Sequence, residues 1–191
     1  MWSSTSAEAD VEIQFYDMLR RHMMDGIVMC AHTSHPGDYW TSIHRPIVAF
    51  DRVLGDGISS IGSDHEQGGR LIAQMLIRNG AKHVVMIGGP RDQFFDLAAR
   101  GEVEEGPFDL GKTTFPTVRY CLTLEQELTS AGVKYEYVEA GEVMDFAGYH
   151  RAVSNALDKV TTDGVDAVVS SDIGASFCVR EALSRGISIP D

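Results

Sequence analysis

The stretch ISSIGSDHEQGGRLIAQMLIRNGAKHVVMIGGP, at residues 58–90 of this 191-residue chain, decides the fold class. Residues 58–62 and 83–87 are short apolar runs, which are typical of strands. Between them the apolar residues recur at helical spacing, at Leu71, Ile72, Met75 and Leu76. Because two strands joined by a helix of this length form a parallel crossover unit, we predict an α/β fold with a parallel sheet.

Polar residues mark both ends of this predicted helix. Asp64 precedes the apolar stripe and Gln67 follows three positions later, a spacing that predicts a capping box. Asn79 and Gly80 follow the stripe, and both residue types tolerate the positive φ that ends many helices. The helix is therefore expected between Asp64 and Asn79.

The same alternation of strands and helices continues along the chain. We predict further strands at 26–31, 46–50, 134–138 and 166–170, and helices at about 8–21, 118–131, 145–160 and 173–185. The run at 26–31 is apolar throughout, as expected for a parallel strand covered on both faces, and residues 32–45 are loop-like. This βαβαβ pattern, present twice, indicates a doubly wound sheet or two such sheets side by side.

Composition narrows the class of protein. With 43% apolar residues the chain can bury a core, but no apolar run approaches the roughly 20 residues that span a bilayer. The N-terminus lacks the pattern of a signal peptide, and the net charge of −12 argues against direct binding of phosphates. Cys30, Cys121 and Cys178 are far apart, so we expect buried free thiols in a reducing compartment and neither a metal site nor a cofactor.

One segment interrupts the pattern. Residues 91–117 combine several acidic residues with four phenylalanines and show no regular periodicity. Loops of this length inside a compact domain are uncommon and are often functional or disordered. We therefore predict an irregular insertion that is either a lid or a disordered segment.

Five segments of the chain follow one another in an order that is typical of a known family. They are DGIVM, PIVAFDR, SDHEQGGRL, HVVMIGGP and SSDIGASFCVREALSRGISIPD. In these segments the chain resembles the effector-binding domain of the LacI/GalR family of bacterial transcription regulators, over nearly its whole length apart from about 91–117. The resemblance implies the periplasmic-binding-protein type I fold, in which a small ligand, usually a sugar or nucleobase, lies between two Rossmann-like lobes. It implies a partial N-terminal lobe at 1–79 and a partial C-terminal lobe at 80–191.

The same resemblance implies partners and missing parts. The family's DNA-reading helix-turn-helix and the first elements of its N-terminal lobe would precede Met1, and a further strand would follow Asp191. The chain is thus expected to be truncated at both ends of the domain. The family implies a sugar-like effector and a homodimer. It also implies contact with operator DNA only through the absent helix-turn-helix, no membrane association and a cytoplasmic location.

Several residues are candidates for contact with the ligand. In the sequence, Arg119 falls about one residue away from the position at which the family has its effector-binding arginine. The alternative is that Arg119 is a surface arginine. Asp64 and Gln67 stand at a strand-to-helix corner, where open α/β sheets bind ligands, although a capping box alone explains them equally well. Ser171 and Asp172 occupy the corresponding corner of the second lobe, where the family usually has Asn-Asp; a helix cap is the alternative.

An aromatic side chain that stacks on a sugar ring is also expected. Val143 falls where some family members place that aromatic residue, so the stacking surface must come from elsewhere. Phe146, Trp40 and Tyr39 are the candidates, and ordinary packing is the alternative for each of them.

Motifs of the common enzyme classes are absent from the sequence. It contains no G-x-G-x-x-G, no Walker loop and no G-x-S-x-G elbow, so we assign no catalytic residue. The favoured hypothesis is a sugar-sensing domain that controls operator binding allosterically. A periplasmic-type solute-binding protein for sugar uptake is the alternative, and an α/β enzyme of flavodoxin-like shape is a third option.

Overall fold

The computed structural model of the chain describes residues 14–29, 37–51, 54–91, 116–141 and 145–189. Described residues up to Ser63 form one compact unit; those from Asp64 to Arg91 and from Thr117 onward form a second. Both units contain a parallel sheet, so the predicted α/β class is confirmed. None of the helices within these ranges is long and apolar enough to cross a membrane.

The first unit contains a three-stranded parallel sheet. Its elements are α1 (described over residues 14–20), β1 (Ile27–Met29), α2 (Gly37–Thr41), β2 (Ile47–Phe50) and β3 (Ser59–Ile61). The strand order is β1-β2-β3, with Ile27 opposite Ile47 and Val48 opposite Ser59. The short helix α2 lies in a segment predicted to be a loop. That prediction is wrong there because the turn of helix buries the Trp40 ring, which is 2% exposed.

The core of the first unit lies on one face of this sheet. It consists of Tyr16, Leu19, Met29, Trp40, Ile43 and Ile47. Successive side chains of a strand point to opposite faces, and those of the other face remain open: Val28 is 70%, Phe50 49% and Ile61 63% exposed. The expectation that the strand at 26–31 is covered on both faces is therefore wrong for β1.

The second unit is built around one central strand. Its elements are α3 (His65–Arg78), β4 (His83–Gly88), α4 (Pro116–Ser130), β5 (Lys134–Glu139), α5 (Phe146–Thr162), β6 (Ala167–Ser170) and α6 (Asp172–Ser184). Strand β4 pairs in parallel with β5 on one side and with β6 on the other. Gly88 lies opposite Glu139, and Ile87 opposite Ser170. All three strands therefore end together, at what we call the carboxyl edge of this sheet.

Most predicted helices and strands of the second unit are present within about two residues of their expected limits. Helix α4 begins at Pro116, inside the predicted insertion, of which residues 92–115 lie outside the described part of the chain. Three polar side chains accept a hydrogen bond from the backbone N–H three residues on and so cap a helix: Asp64 caps α3 at 2.8 Å, Asp145 caps α5 at 2.8 Å and Ser171 caps α6 at 3.4 Å.

The core of the second unit fills the space between β4 and the helices α5 and α6. Its buried members are Val85, Ile87, Ala140, Tyr149, Ala152, Val153, Ala156, Leu157, Val165, Cys178 and Ala182. Cys121 and Cys178 are buried free thiols, as predicted, and burial raises their pKa to about 12 and about 11. Cys30 lies outside the described residues.

Helix α3 packs closely against α4. A Cβ atom at Gly69 would lie 2.7 Å from the carbonyl oxygen of Tyr120 and 3.0 Å from Cβ of Thr123. Arg70 Nε lies 3.8 Å from Glu127 Oε1 of α4. These contacts explain why α3 belongs to the second unit. The sequence instead predicted a boundary between two lobes after Asn79. The division into these two lobes stays a prediction.

A charged network lies near the opposite end of the second sheet from the carboxyl edge. Glu136 accepts hydrogen bonds from Lys134 at 2.8 Å and from Lys159, and its Oε1 lies 2.7 Å from Nε2 of buried His83. The hydrogen bonds from Lys134 and then Lys159 lower the pKa of Glu136 from 4.5 to about 2.

We expect Gly69→Ala to destabilise the protein, by about 1–3 kcal/mol, because its new methyl group overlaps the backbone of α4. Gly68→Ala is the matched control: its methyl group would lie 3.7 Å from the Tyr120 ring, an ordinary contact, so we expect about 0.5–1 kcal/mol of added stability from helix propensity. Urea unfolding measures both changes. Equal stability of the two variants would contradict the close packing of α3 on α4.

Replacing Glu136 tests the charged network. Because the carboxyl has a lower pKa in the folded state, ionised Glu136 contributes stability above pH 4.5, and this contribution is lost as the pH falls toward about 2. We expect Glu136→Gln to cost about 1–2 kcal/mol at pH 7 and less at pH 3. Thermal unfolding at both pH values measures the difference. Glu66→Gln, which changes an exposed pair with Arg70 at 3.1 Å, is the control with the same change of charge. A cost of Glu136→Gln that does not vary with pH would disprove the assignment.

Candidate functional site

The strand-to-helix corners of the second unit meet at its carboxyl edge. Strand β4 continues into Gly89, Pro90 and Arg91, β5 into Ala140, and β6 into Ser171. Because the register aligns the ends of all three strands, these corners lie side by side. Open α/β sheets bind ligands at this edge, so it is the candidate site.

The corner after β6 carries two of the predicted residues. Ser171 and Asp172 are both exposed, Ser171 as the cap of α6 and Asp172 as its first residue. Asp172 Oδ1 accepts a hydrogen bond from the N–H of Ile173 at 2.9 Å. Ser170 donates to the carbonyl of Ile87 at 3.0 Å, which ties the end of β6 to β4. The cap thus lies at Ser171, and Asp172 keeps an exposed carboxylate; contact of either with a ligand stays a prediction.

The start of α3 lies beside the start of α4. Gly68 packs on the ring of Tyr120, the residue that follows Arg119. Asp64 and Gln67 are exposed at this end of α3, and the predicted cap by Asp64 is confirmed by its 2.8 Å bond from the N–H of Gln67. The structure therefore places Asp64 and Gln67 on a helix end adjoining the one that carries Arg119.

Arg119 lies in the first turn of α4 and is half-buried. A guanidinium group is planar and donates hydrogen bonds in a fixed fork, which suits two neighbouring hydroxyl groups of one molecule. Partial burial limits the number of conformations that such a long side chain can adopt. The position is therefore compatible with the predicted ligand contact, which remains a prediction.

The three stacking candidates differ in exposure. Phe146 is the first residue of α5 and is 44% exposed, with its ring edge-to-face on Phe177 at 6.2 Å. Trp40 is 2% exposed and packs edge-to-face on Tyr16 at 5.0 Å. Tyr39 is half-buried and packs on the same tyrosine at 5.6 Å. Trp40 is therefore a core residue and not a stacking surface, because its ring has no free face; Val143 lies outside the described residues.

Sequence reasoning missed a group of side chains around the corner after β4. The Tyr137 hydroxyl donates to the carbonyl of Gly89 at 2.7 Å, and the Arg91 guanidinium lies 4.7 Å from the centre of the Tyr137 ring. Arg91 also donates to Glu125 of α4 at 2.9 Å, and its backbone N–H donates to Glu139 at 3.0 Å. Sequence alternation in KYEYVE, at 134–139, was the available signal: it puts two tyrosines on one face of β5.

The protonation state of Tyr137 follows from its surroundings. Burial raises the pKa of its phenol, and Cys121 raises it further. The raised pKa favours the protonated phenol, which is the form that donates the hydrogen bond to Gly89.

The exposed groups at the corner after β6 and at the start of α3 are carboxylates, a hydroxyl and an amide. They can donate and accept hydrogen bonds with the hydroxyl groups of a small polar molecule. Within the described ranges, no three His, Cys, Asp or Glu side chains are grouped so that they could hold a metal ion.

Comparison with solved structures identifies the fold. The chain matches a periplasmic binding protein/LacI transcriptional regulator from Alkaliphilus metalliredigens, which was crystallised with D-xylulofuranose, with a TM-score of 0.64 and 22% identity. The match covers 94% of this chain and 58% of that chain. The chain therefore has the fold of the periplasmic-binding-protein-like regulators, as the sequence predicted.

Curated relatives give a narrower likeness, although no protein-family model matches the chain. The sucrose operon repressor of Streptococcus mutans is 38% identical over 80 residues, which are 42% of this chain and 25% of the repressor. The ribose operon repressor of Bacillus subtilis is 24% identical over 201 aligned residues, covering 100% of this chain and 51% of the repressor. The predicted resemblance to the effector-binding domain of LacI-family regulators is confirmed. The matched regions span about half the length of the ribose operon repressor and a quarter of that of the sucrose operon repressor.

Two substitutions separate the capping role of Asp64 from any other role. Asn caps helices as well as Asp does, so we expect Asp64→Asn to keep the stability of the protein within about 0.5 kcal/mol, whereas Asp64→Ala loses about 1 kcal/mol. Chemical unfolding measures both. An Asp64→Ala variant as stable as the unchanged protein would show that the 2.8 Å cap contributes nothing.

Proposed function

We propose that this chain is the effector-sensing part of a LacI-type transcription regulator and that it binds a small, sugar-like molecule. One observation carries the proposal: the strand ends of the second sheet align, so that exposed polar corners stand together at the carboxyl edge. The names of the relatives, repressors of a sucrose and of a ribose operon, support a sugar as the effector.

The proposed contacts follow from the chemistry of a polyol, whose hydroxyl groups both donate and accept hydrogen bonds. Arg119 donates two hydrogen bonds to neighbouring hydroxyls, and the carboxylates of Asp64 and Asp172 accept from others. Gln67 and Ser171 can do both. Phe146 of the second unit stacks on the apolar face of the sugar ring, since this residue is 44% exposed.

In this proposal the chain senses its ligand and does not transform it. Binding of the effector changes the population of two conformations of the protein. A homodimer then presents its DNA-binding heads, which lie outside this chain, with a different affinity for the operator. The proposed control of an operator implies a cytoplasmic location for the protein, because that is where the operator is.

A periplasmic-type solute-binding protein remains the second candidate, because the fold is common to both classes. The two differ in what the encoded protein carries before Met1. A basic helix-turn-helix would support the regulator, and a secretory signal would support the solute-binding protein.

Substitution of Arg119 tests the site. We expect Arg119→Ala to weaken binding of the effector at least about a hundredfold, since hydrogen bonds to a charged group contribute about 1.5–3 kcal/mol each. Isothermal titration with ribose, sucrose and D-xylulose measures the affinity, and thermal unfolding checks that the fold is kept.

Arg78→Ala is the matched control, because Arg78 is exposed at the far end of α3 and its loss changes the net charge equally. We expect it to bind the same sugar with the affinity of the unchanged protein. If Arg119→Ala also binds with that affinity, Arg119 is not an effector ligand.

A further inference from the structure

Tyr137 of β5 fastens the corner after β4. Its hydroxyl donates to the carbonyl of Gly89 at 2.7 Å across the carboxyl edge. The side chain also lies over Gly88, where a Cβ atom would stand 2.2 Å from the Tyr137 hydroxyl oxygen. The absence of a side chain at Gly88 is thus what lets the phenol reach the corner.

Arg91 also contacts Tyr137 and β5. Its guanidinium carbon lies 4.7 Å from the centre of the Tyr137 ring, within the range of a cation–π interaction. Its backbone N–H donates to Glu139, the last residue of β5, at 3.0 Å. The corner is therefore attached to β5 at three points: Gly88, Gly89 and Arg91.

The same arginine connects the corner to α4. Arg91 Nη2 donates to Glu125 Oε2 at 2.9 Å, and both side chains are partly exposed, at 41% and 34%. Glu125 lies six residues after Arg119 on the same helix. This ion pair therefore links the corner to the helix that carries Arg119.

We propose that Tyr137 and Arg91 are positioning residues of the effector site. They do not touch the effector; they fix the corner after β4 and, through Glu125, the placement of α4 and Arg119. This inference rests on the proposed function for its effect on binding, but the attachment of the corner can be measured independently of it.

The neighbouring Tyr135 provides a matched control. It lies two residues earlier on the same face of β5, and its buried hydroxyl has no hydrogen-bond partner in the described part of the chain. Tyr135→Phe and Tyr137→Phe each remove one hydroxyl group and keep the ring. They differ in whether a hydrogen bond to the corner is lost.

The experiment measures amide hydrogen exchange at Gly89 and Arg91, sugar affinity by titration with ribose and sucrose, and thermal unfolding, on the full chain. We expect Tyr137→Phe to speed exchange at these amides and to weaken binding of the sugar, each by about fivefold, as the loss of one neutral hydrogen bond predicts. We expect Tyr135→Phe to leave both unchanged.

Each other result overturns part of the inference. Unchanged exchange in Tyr137→Phe would show that the phenol does not hold the corner. Faster exchange with unchanged affinity would show that the contact is only structural and does not position the site. If the unchanged protein binds neither sugar, the proposed sugar effectors are wrong, and the exchange rates still decide whether Tyr137 holds the corner.

Discussion

The pairing of β4 with β5 and β6 is the constraint on which the second unit depends. Val84 and Val85 of β4 are both fully buried, and because successive side chains of a strand point to opposite faces, both faces of this central strand are covered. Both neighbours of β4 run parallel to it, so all three strands end, and the chain turns after each of them, at the same edge of the sheet. The polar corners are side by side for this reason, and not because the corners attract one another.

The strands and helices that build this sheet could be predicted from the sequence because each depends on a local pattern. After His83 the run VVMIG is apolar, as expected for a strand covered on both faces, and the apolar stripe before it has the helical period. Asp64 and Ser171 could be predicted at helix starts because capping depends on residues three apart. The sequence predicted strand-to-helix corners as ligand positions, but it did not predict the strand order β5-β4-β6.

The contacts that hold the corner could not be predicted in this way. Tyr137 bonds to a carbonyl 48 residues away, and Arg91 bonds to Glu125 34 residues away. No pattern within a window of the sequence records such a pair, because the strand period fixes only the face on which a side chain lies. Trp40 shows the same limit of prediction from sequence. Its aromatic ring suggested a binding role, but the residue is only 2% exposed, which shows that it packs in a core.

Strand β5 carries the charged network on one face and, on the other, the tyrosine that contacts the corner after β4. Glu136, on one of its faces, joins His83 and Lys159 in a network that begins at the amino ends of the strands, where Lys134 lies opposite His83. Tyr137, on the other face, reaches the carboxyl edge. Because the charged network lies away from the corners, the exposed side chains of the carboxyl edge can be substituted without disturbing that network, apart from the few that cap helices.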